Sequence, residues 1–496
     1  MKRIRLIYIL FMLLVSIVAG YAQDDVAPVK TTDGISYRIK TFGSFATNGQ
    51  TPFWLVGNQQ GMVPINSNNG YLQAGIFHSQ SLGRKSNWKT GLDMVAVTPR
   101  YRHFYIQQLY TEINYQKIRL SIGSRNGTNY HSSLLDPALS SGDLGISTNA
   151  RPIPEIKLFA SEFIPFPWTG GWLQGKGDFA VGRSFDSDYL ESFVRTKQNY
   201  IRDILWHHKS AYLRVKDTKN DFPASLSVGI QHIAQWGGVS TDPSLGKQPQ
   251  SARDFIHVIL GRSGGENASL SDQINVQGSH YGTYDVRLGY EKKDWSVFAY
   301  YQHLFYDHSG IEYYNGLDGM EGIQLNLPKL PWMSKVVIEY ISTLNQSGPF
   351  HYIMYDHSKY PGFGGGGDNY YNNGEYTTGA SYFNRGIGSP LLFSPEYNAN
   401  GSLGFKHNRI RAWHLGAEGH VAADLSYRLL LSTMESYGTA YAPTLKKLTN
   451  ASFTTDFSYH FHNSWIFTAS IAGDWGSTFG NHLGCGISVT KWGILK

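Results

Sequence analysis

Three stretches of this sequence concentrate side chains that could do chemistry. Residues 362–367 read GFGGGG and match G-x-G-x-x-G. A dinucleotide cradle needs a strand before that motif and a helix after it. DNYYNNGEY follows instead, with no helix signal, so a flexible loop is expected. Residues 412–422, AWHLGAEGHVA, put His414, Glu418 and His420 on one face of a strand. Imidazoles and a carboxylate can ligate zinc. At about 3.3 Å per residue, however, His414 and His420 stand roughly 20 Å apart, and one ion cannot bridge them. Residues 367–390, GDNYYNNGEYTTGASYFNRGIGSP, mix Tyr, Asn and Gly with Glu375 and Arg385. Tyr rings stack on the flat CH face of a sugar, while amide, carboxylate and guanidinium groups bond its hydroxyls. The same composition also suits an ordinary exposed loop.

Covalent and acid–base catalysis find no anchor. There is no G-x-S-x-G, and Cys485, the single cysteine, lies at an apolar strand position where a thiolate is disfavoured. Glu375 with Asp368, or Asp143 with Glu155, can be drawn as an acid/base pair, but loops do not fix their separation. No enzyme activity, cofactor or metal site is expected.

The elements that must carry these residues alternate with period two. Leu226, Val228 and Ile230 share one face of a strand, and Ser225, Ser227, Gly229 and Gln231 share the other. Tyr284, Val286 and Leu288 oppose Asp285 and Arg287; Leu425, Tyr427, Leu429 and Leu431 oppose Ser426, Arg428 and Ser432. Such half-apolar strands recur from Ile35 to Trp492, roughly eighteen to twenty of them, too many for a sandwich. Of the 496 residues only 16% are charged, 14% are aromatic and 54 are Gly, with a net charge of +6. Low charge and abundant aromatics and Gly fit a transmembrane antiparallel β-barrel of about 18 strands, apolar toward lipid and polar toward a wet lumen. The basic residues are scattered, so nucleic acid is not an expected partner.

Lys2, Arg3 and Arg5 precede the apolar run Leu6–Val18, and Gly20 and Ala22 then offer a cleavage site. Residues 1–22 therefore read as a secretory signal peptide, and 23–496 as a single barrel domain. Short turns such as YEKKDW alternate with long connections at 125–152, about 237–278 and about 346–409. In an outer-membrane barrel the long loops face outward. SARDFIHVILG (251–261) is helix-like.

Several stretches together resemble the Wzi-type capsule-assembly family of outer-membrane proteins. They are TPFWLVGNQQG (51–61), LSSGDLGISTNARPIPEI (139–156), YYQHLFYDHSG (300–310), NGLDGMEGIQL (315–325), DNYYNNGEYTTG (368–379), GIGSPL (386–391) and NRIRAWHLGAEG (408–419). The resemblance implies an eighteen-stranded barrel in the cell outer membrane that holds capsular or other surface polysaccharide, lectin-like and without catalysis. It also implies contact with outer-membrane lipid and with the polysaccharide export machinery. The periplasmic helical bundle of the family is expected to be reduced or absent here, since QDDVAPVKTTDG leads straight into strand-like ISYRIKTFGSF. Chemistry, not a transferable motif, names the glycan-binding candidates: Tyr370, Tyr371, Asn372, Asn373, Glu375, Tyr376 and Arg385, with Asn149 and Arg151 beside a segment that folds inward to constrict the pore. Two other functions fit the pattern. One is a sugar or small-solute diffusion channel with Arg119, Arg287, Arg428, Asp285 and Glu291 in an open lumen. The other is an outer-membrane hydrolase using Glu375 or Asp368.

Overall fold

The computed structural model describes residues 33–127, 133–219, 222–306, 308–348, 352–353 and 365–495. The signal-peptide reading of 1–22 and residues 362–364 of the Gly-rich motif lie outside them.

Eighteen strands form one closed sheet. They are β1 Gly34–Ala46, β2 Asn69–Ser81, β3 Ser86–Thr98, β4 Phe104–Tyr115, β5 Ile118–Ser124, β6 Glu155–Pro165, β7 Leu173–Arg183, β8 Leu205–Lys216, β9 Ala224–Trp236, β10 Ser279–Glu291, β11 Ser296–Phe305, β12 Gly319–Asn326, β13 Lys335–Ser342, β14 Ile410–Ala422, β15 Leu425–Gly438, β16 Pro443–Phe461, β17 Trp465–Gly476 and β18 His482–Ile494. Each pairs antiparallel with the next, and β1 closes on β18 from Ser36↔Ile494 to Ala46↔Gly484. Closure leaves no open sheet edge, so the ladders pair strand to strand around the barrel, away from water.

The alternation read from the sequence sets the two faces. Leu226, Val228, Ile230, Val286 and Leu288 point outward and are exposed, as part of an apolar belt that only lipid would cover. Trp168, Trp172, Trp295, Trp332 and Trp465 stand exposed near the short turns, forming an interfacial girdle at that end. Both β1 and β18 have their free ends there. By the usual barrel orientation the short-turn end faces the periplasm.

The inner face departs from the expected wet lumen. Its short-turn half is polar, with the ion pairs Lys335–Asp136 (2.8 Å), Lys335–Glu418 (2.9 Å) and Arg428–Asp456 (2.5 Å). The long-loop half is dry. There Ile233, Met320, Val337, Ile341, Leu430 and Met434, all inward, pack with Phe53, Trp54, Leu139, Leu144, Leu392 and Phe405 from the loops. Three long connections (47–68, 133–154 and 365–409) fold into the barrel as a plug. Each large side chain buried there contributes about 1.5–3 kcal/mol. The short helix α1 (Phe53–Val56) is wholly buried in it.

The connection 237–278 behaves differently. Its helix Ala252–Leu260, seen in the sequence, opens on a reciprocal cap between Ser251 and Asp254. It packs against the outer wall, with Val258 on Ala234 and Phe255 stacked on Trp236. Lys209, on the outer face of β8, donates to the carbonyl of Ile259 in its last turn.

Candidate functional site

The expected glycan contacts sit on the plug, and most are buried in it. Tyr370 donates to Asp318 (3.2 Å) and accepts from Asn315 Nδ2 (2.8 Å). Tyr371 donates to the Leu144 carbonyl (2.5 Å), and Tyr376 to the Gly237 carbonyl (3.3 Å). Burial first, and nearby carboxylates second, push the hydroxyls of these three Tyr well above their usual range, so they stay neutral donors. Arg385 is buried as well. It bonds Glu396 Oε2 (2.7 Å) and the carbonyls of Val56 and Val63 (3.2 Å each), pinning the 365–409 and 47–68 connections of the plug together. Asn149 donates to the Gly386 carbonyl (2.9 Å) and accepts from the Asn58 amide (3.3 Å). The expectation that Tyr370, Tyr371, Tyr376, Arg385 and Asn149 face a sugar is therefore corrected: packing in a dry interior uses the same rings and amides that a sugar would.

Arg151 lies between the Tyr105 ring (4.0 Å) and the Phe383 ring (4.3 Å) and donates to the Ile106 carbonyl (2.9 Å), tying the plug to β4. Asn372, Asn373 and Glu375 keep part of their surface in solvent. Asn372 is fixed by a two-way bond with Phe405, donating to its carbonyl (2.8 Å) and accepting from its amide (2.7 Å). Asn373 Oδ1 accepts from the amides of Glu375 (2.9 Å) and Tyr376 (3.0 Å), shaping the turn.

Around these three, two segments not foreseen as site residues complete a polar surface on the long-loop side. Residues 195–199 approach through Thr377 Oγ1, which donates to the Asn199 carbonyl (2.6 Å). Residues 400–406 join through Leu403 N to Gln198 Oε1 (2.9 Å) and Arg195 N to the Gly401 carbonyl (3.2 Å). Arg195, Lys197, Gln198, Asn199, Asn400 and Lys406 are all exposed. Lys406 bonds Asn400 Oδ1 (3.0 Å). The polar run RTKQN is the only sequence sign of this neighbourhood, and it looks like any exposed loop. Nearby, burial and then Glu375 push the Asp272 carboxyl up to about 7.

Of the carboxylates considered for catalysis, Asp143 is occupied in the wall between plug and barrel, and Glu339 is held in the same wall. Asp143 accepts from Ser133 Oγ (2.5 Å), Gln231 Nε2 (3.0 Å) and the Gly145 amide (2.7 Å). Glu339, inward on β13, accepts from Ser140 Oγ (2.6 Å), Ser141 N (2.7 Å), Ser141 Oγ (2.5 Å) and Tyr300 OH (2.7 Å). His414 is part of the same joinery. Trp54 Nε1 donates to Ser432 Oγ (3.1 Å), Ser432 bonds His414 Nδ1 (2.7 Å), and His414 Nε2 donates to the Leu139 carbonyl (2.8 Å). Among the described residues no cluster of His, Cys, Asp and Glu is arranged to hold a metal.

Below the plug the lumen opens as a cavity of about 1680 Å³ toward the short-turn end, with Trp54, Leu55 and Asp136–Ala138 as its roof. Arg428 lines it; Arg287 and Glu291 line a smaller recess beside it. Asp285 is instead buried, accepting from Tyr212 OH (2.6 Å) and Gln302 Nε2 (2.9 Å). The long-loop half of the lumen, where an open channel would have to continue, is filled by the plug.

The family model of the capsule assembly protein Wzi matches residues 97–376, more than half of the chain. The chain belongs to the Wzi capsule assembly family. It is an outer-membrane protein, as the closed barrel and apolar belt require. Among solved structures it is similar to Escherichia coli Wzi, an outer membrane protein involved in group 1 capsule assembly and a carbohydrate-binding β-barrel. That likeness has 12% identity and a TM-score of 0.53, covering 92% of this chain and 83% of that one. Pseudomonas aeruginosa OccK7 matches with 11% identity and a TM-score of 0.44, over 93% of this chain and 99% of that one. Curated protein sequences give no match. The stretches that carry the family resemblance, 51–61, 139–156, 300–310, 315–325, 368–379, 386–391 and 408–419, are largely the plug and the wall that receives it.

Proposed function

We propose that this Wzi-family barrel binds and retains capsular or other surface polysaccharide at the cell surface, lectin-like and without catalysis. The observation that carries this reading is the polar surface over a filled lumen. Asn372, Asn373 and Glu375 meet Arg195, Lys197, Gln198, Asn199, Asn400 and Lys406 on the side that faces outward. Amides and cations bond sugar hydroxyls and acidic sugar groups, and repeated weak contacts along a polymer add through avidity. Family membership supports the same assignment. Outer-membrane lipid is the partner of the apolar belt, and the polysaccharide export machinery is a further partner. The test is binding of the host's own surface polysaccharide by the purified barrel and by variants in this surface; an unaltered affinity in those variants rules the assignment out.

A further inference from the structure

The smaller recess at the short-turn end, of about 470 Å³, carries unbalanced charge. Lys176 on β7, Arg214 on β8 and Arg287 on β10 all line it. Register places Arg214 opposite Ser227 and Ser227 opposite Arg287, so the two arginines flank Ser227 at one level of the wall. Two strand spacings, about 10 Å, separate their backbones, a gap that two long side chains can close. Both guanidinium groups are pre-oriented on phenyl rings, Arg214 at 3.8 Å from the centre of Phe163 and Arg287 at 4.2 Å from that of Phe298.

Their hydrogen bonds all go to neutral partners. Arg214 Nε donates to Ser227 Oγ (3.0 Å), Arg287 to Gln324 Oε1 (2.9 Å), and Lys176 Nζ to the Ser133 carbonyl (2.8 Å). Each of the two acids of the recess is paired with a lysine, Glu291 with Lys216 outside it (2.9 Å) and Glu162 with Lys117 of the same lining (3.4 Å), and Glu291 also acts on both arginines, so positive charge is left in excess. Three cations gathered in a partly desolvated recess repel one another unless an anion joins them. A guanidinium held flat by a ring still presents its N–H fork at its edge, the geometry that grips carboxylate and phosphate. The recess also falls within the size range of small-ligand sites.

We propose that this recess is a binding site for an anionic oxygen group, a carboxylate or phosphate borne by a saccharide or a lipid headgroup, reached from the periplasmic end. It is separate from the outward glycan surface and lies on the opposite side of the plug.

The test is calorimetric titration of the detergent-purified barrel at low salt with glucuronate, glycerol phosphate and neutral glucose. The wild type should bind at least one anion and not glucose. Arg214→Gln/Arg287→Gln should weaken that binding about tenfold or more, while Lys446→Gln, at an exposed lysine outside both surfaces, leaves it unchanged. A preference for glucuronate assigns an acidic saccharide, and one for glycerol phosphate a headgroup. If the double variant fails to fold, Arg214→Lys and Arg287→Lys replace it; they keep the charge, lose the fork and should bind several-fold more weakly. No binding of either anion at millimolar concentration overturns the site. So does equal affinity in the wild type and in folded variants.

Discussion

Glu339 ties the plug to the barrel wall through a single side chain. It is buried on β13 and accepts four hydrogen bonds, three of them from Ser140 and Ser141 of the plug and one from Tyr300 of the wall. Glu339→Ala leaves those buried donors without an acceptor. An orphaned buried donor costs about 1–3 kcal/mol, and a hydrogen bond to a charged acceptor is worth about 1.5–3 kcal/mol. The contributions overlap, so about 4 kcal/mol is a fair value for the loss. At about 1.4 kcal/mol per tenfold, the open population of the 133–145 segment should rise about a thousandfold. The eighteen-stranded ladder is untouched, so the heat-modifiable mobility of the barrel should persist. Hydrogen exchange at Ser140–Gly145, with limited proteolysis of the same segment, reads the effect. Glu339→Gln, which keeps one acceptor oxygen, should fall between. Wild-type protection of this segment in Glu339→Ala would refute the reasoning that wall carboxylates hold the plug.

Arg385→Ala strands Glu396, whose Oε2 accepts from it at 2.7 Å, and should loosen the plug by about 3–5 kcal/mol, visible as faster exchange at residues 385–397. In a planar bilayer the wild type should pass little current, because the plug fills the long-loop half of the lumen; large steady currents would revive the diffusion channel. Asp272, raised to about 7 by burial and then by Glu375, holds its proton in the fold at pH values where an unfolded Asp has lost it. The folded state therefore binds more protons between about pH 4 and 7, and its local stability falls as pH rises through that window. Intrinsic-rate-corrected exchange of residues 264–278 should be slowest near pH 4 and reach a faster plateau above about 7, and Asp272→Asn should flatten the profile.

Much of the barrel was legible because its signal is local. Leu226, Val228 and Ile230 alternate with Ser227, Gly229 and Gln231 whatever lies elsewhere in the chain. Ser251 and Asp254 likewise announce the helix they cap. The plug was only half legible. The 139–156 segment does fold inward as read, yet Leu430 and Met434 on the otherwise polar face of β15 were the hint of a dry interior, and their partners Leu139 and Leu392 are remote in sequence. Tyr370, Tyr371 and Tyr376 misled for a related reason. A ring and an amide serve a sugar or a buried turn equally well, and only the fold decides which. Arg195, Lys197 and Lys406 carried no signal beyond that of an ordinary exposed loop, because two separate loops bring them together.

The most direct test of the central claim is equilibrium binding of the host's purified surface polysaccharide to the detergent-solubilised barrel, comparing wild type with Lys197→Ala/Asn199→Ala/Lys406→Ala. These side chains are exposed, so the variant should keep the barrel and plug intact. The account predicts saturable binding by the wild type and a loss of about tenfold or more in the variant, since several polar contacts are removed and their loss multiplies along the polymer. Equal binding by both, or none by the wild type, would contradict it.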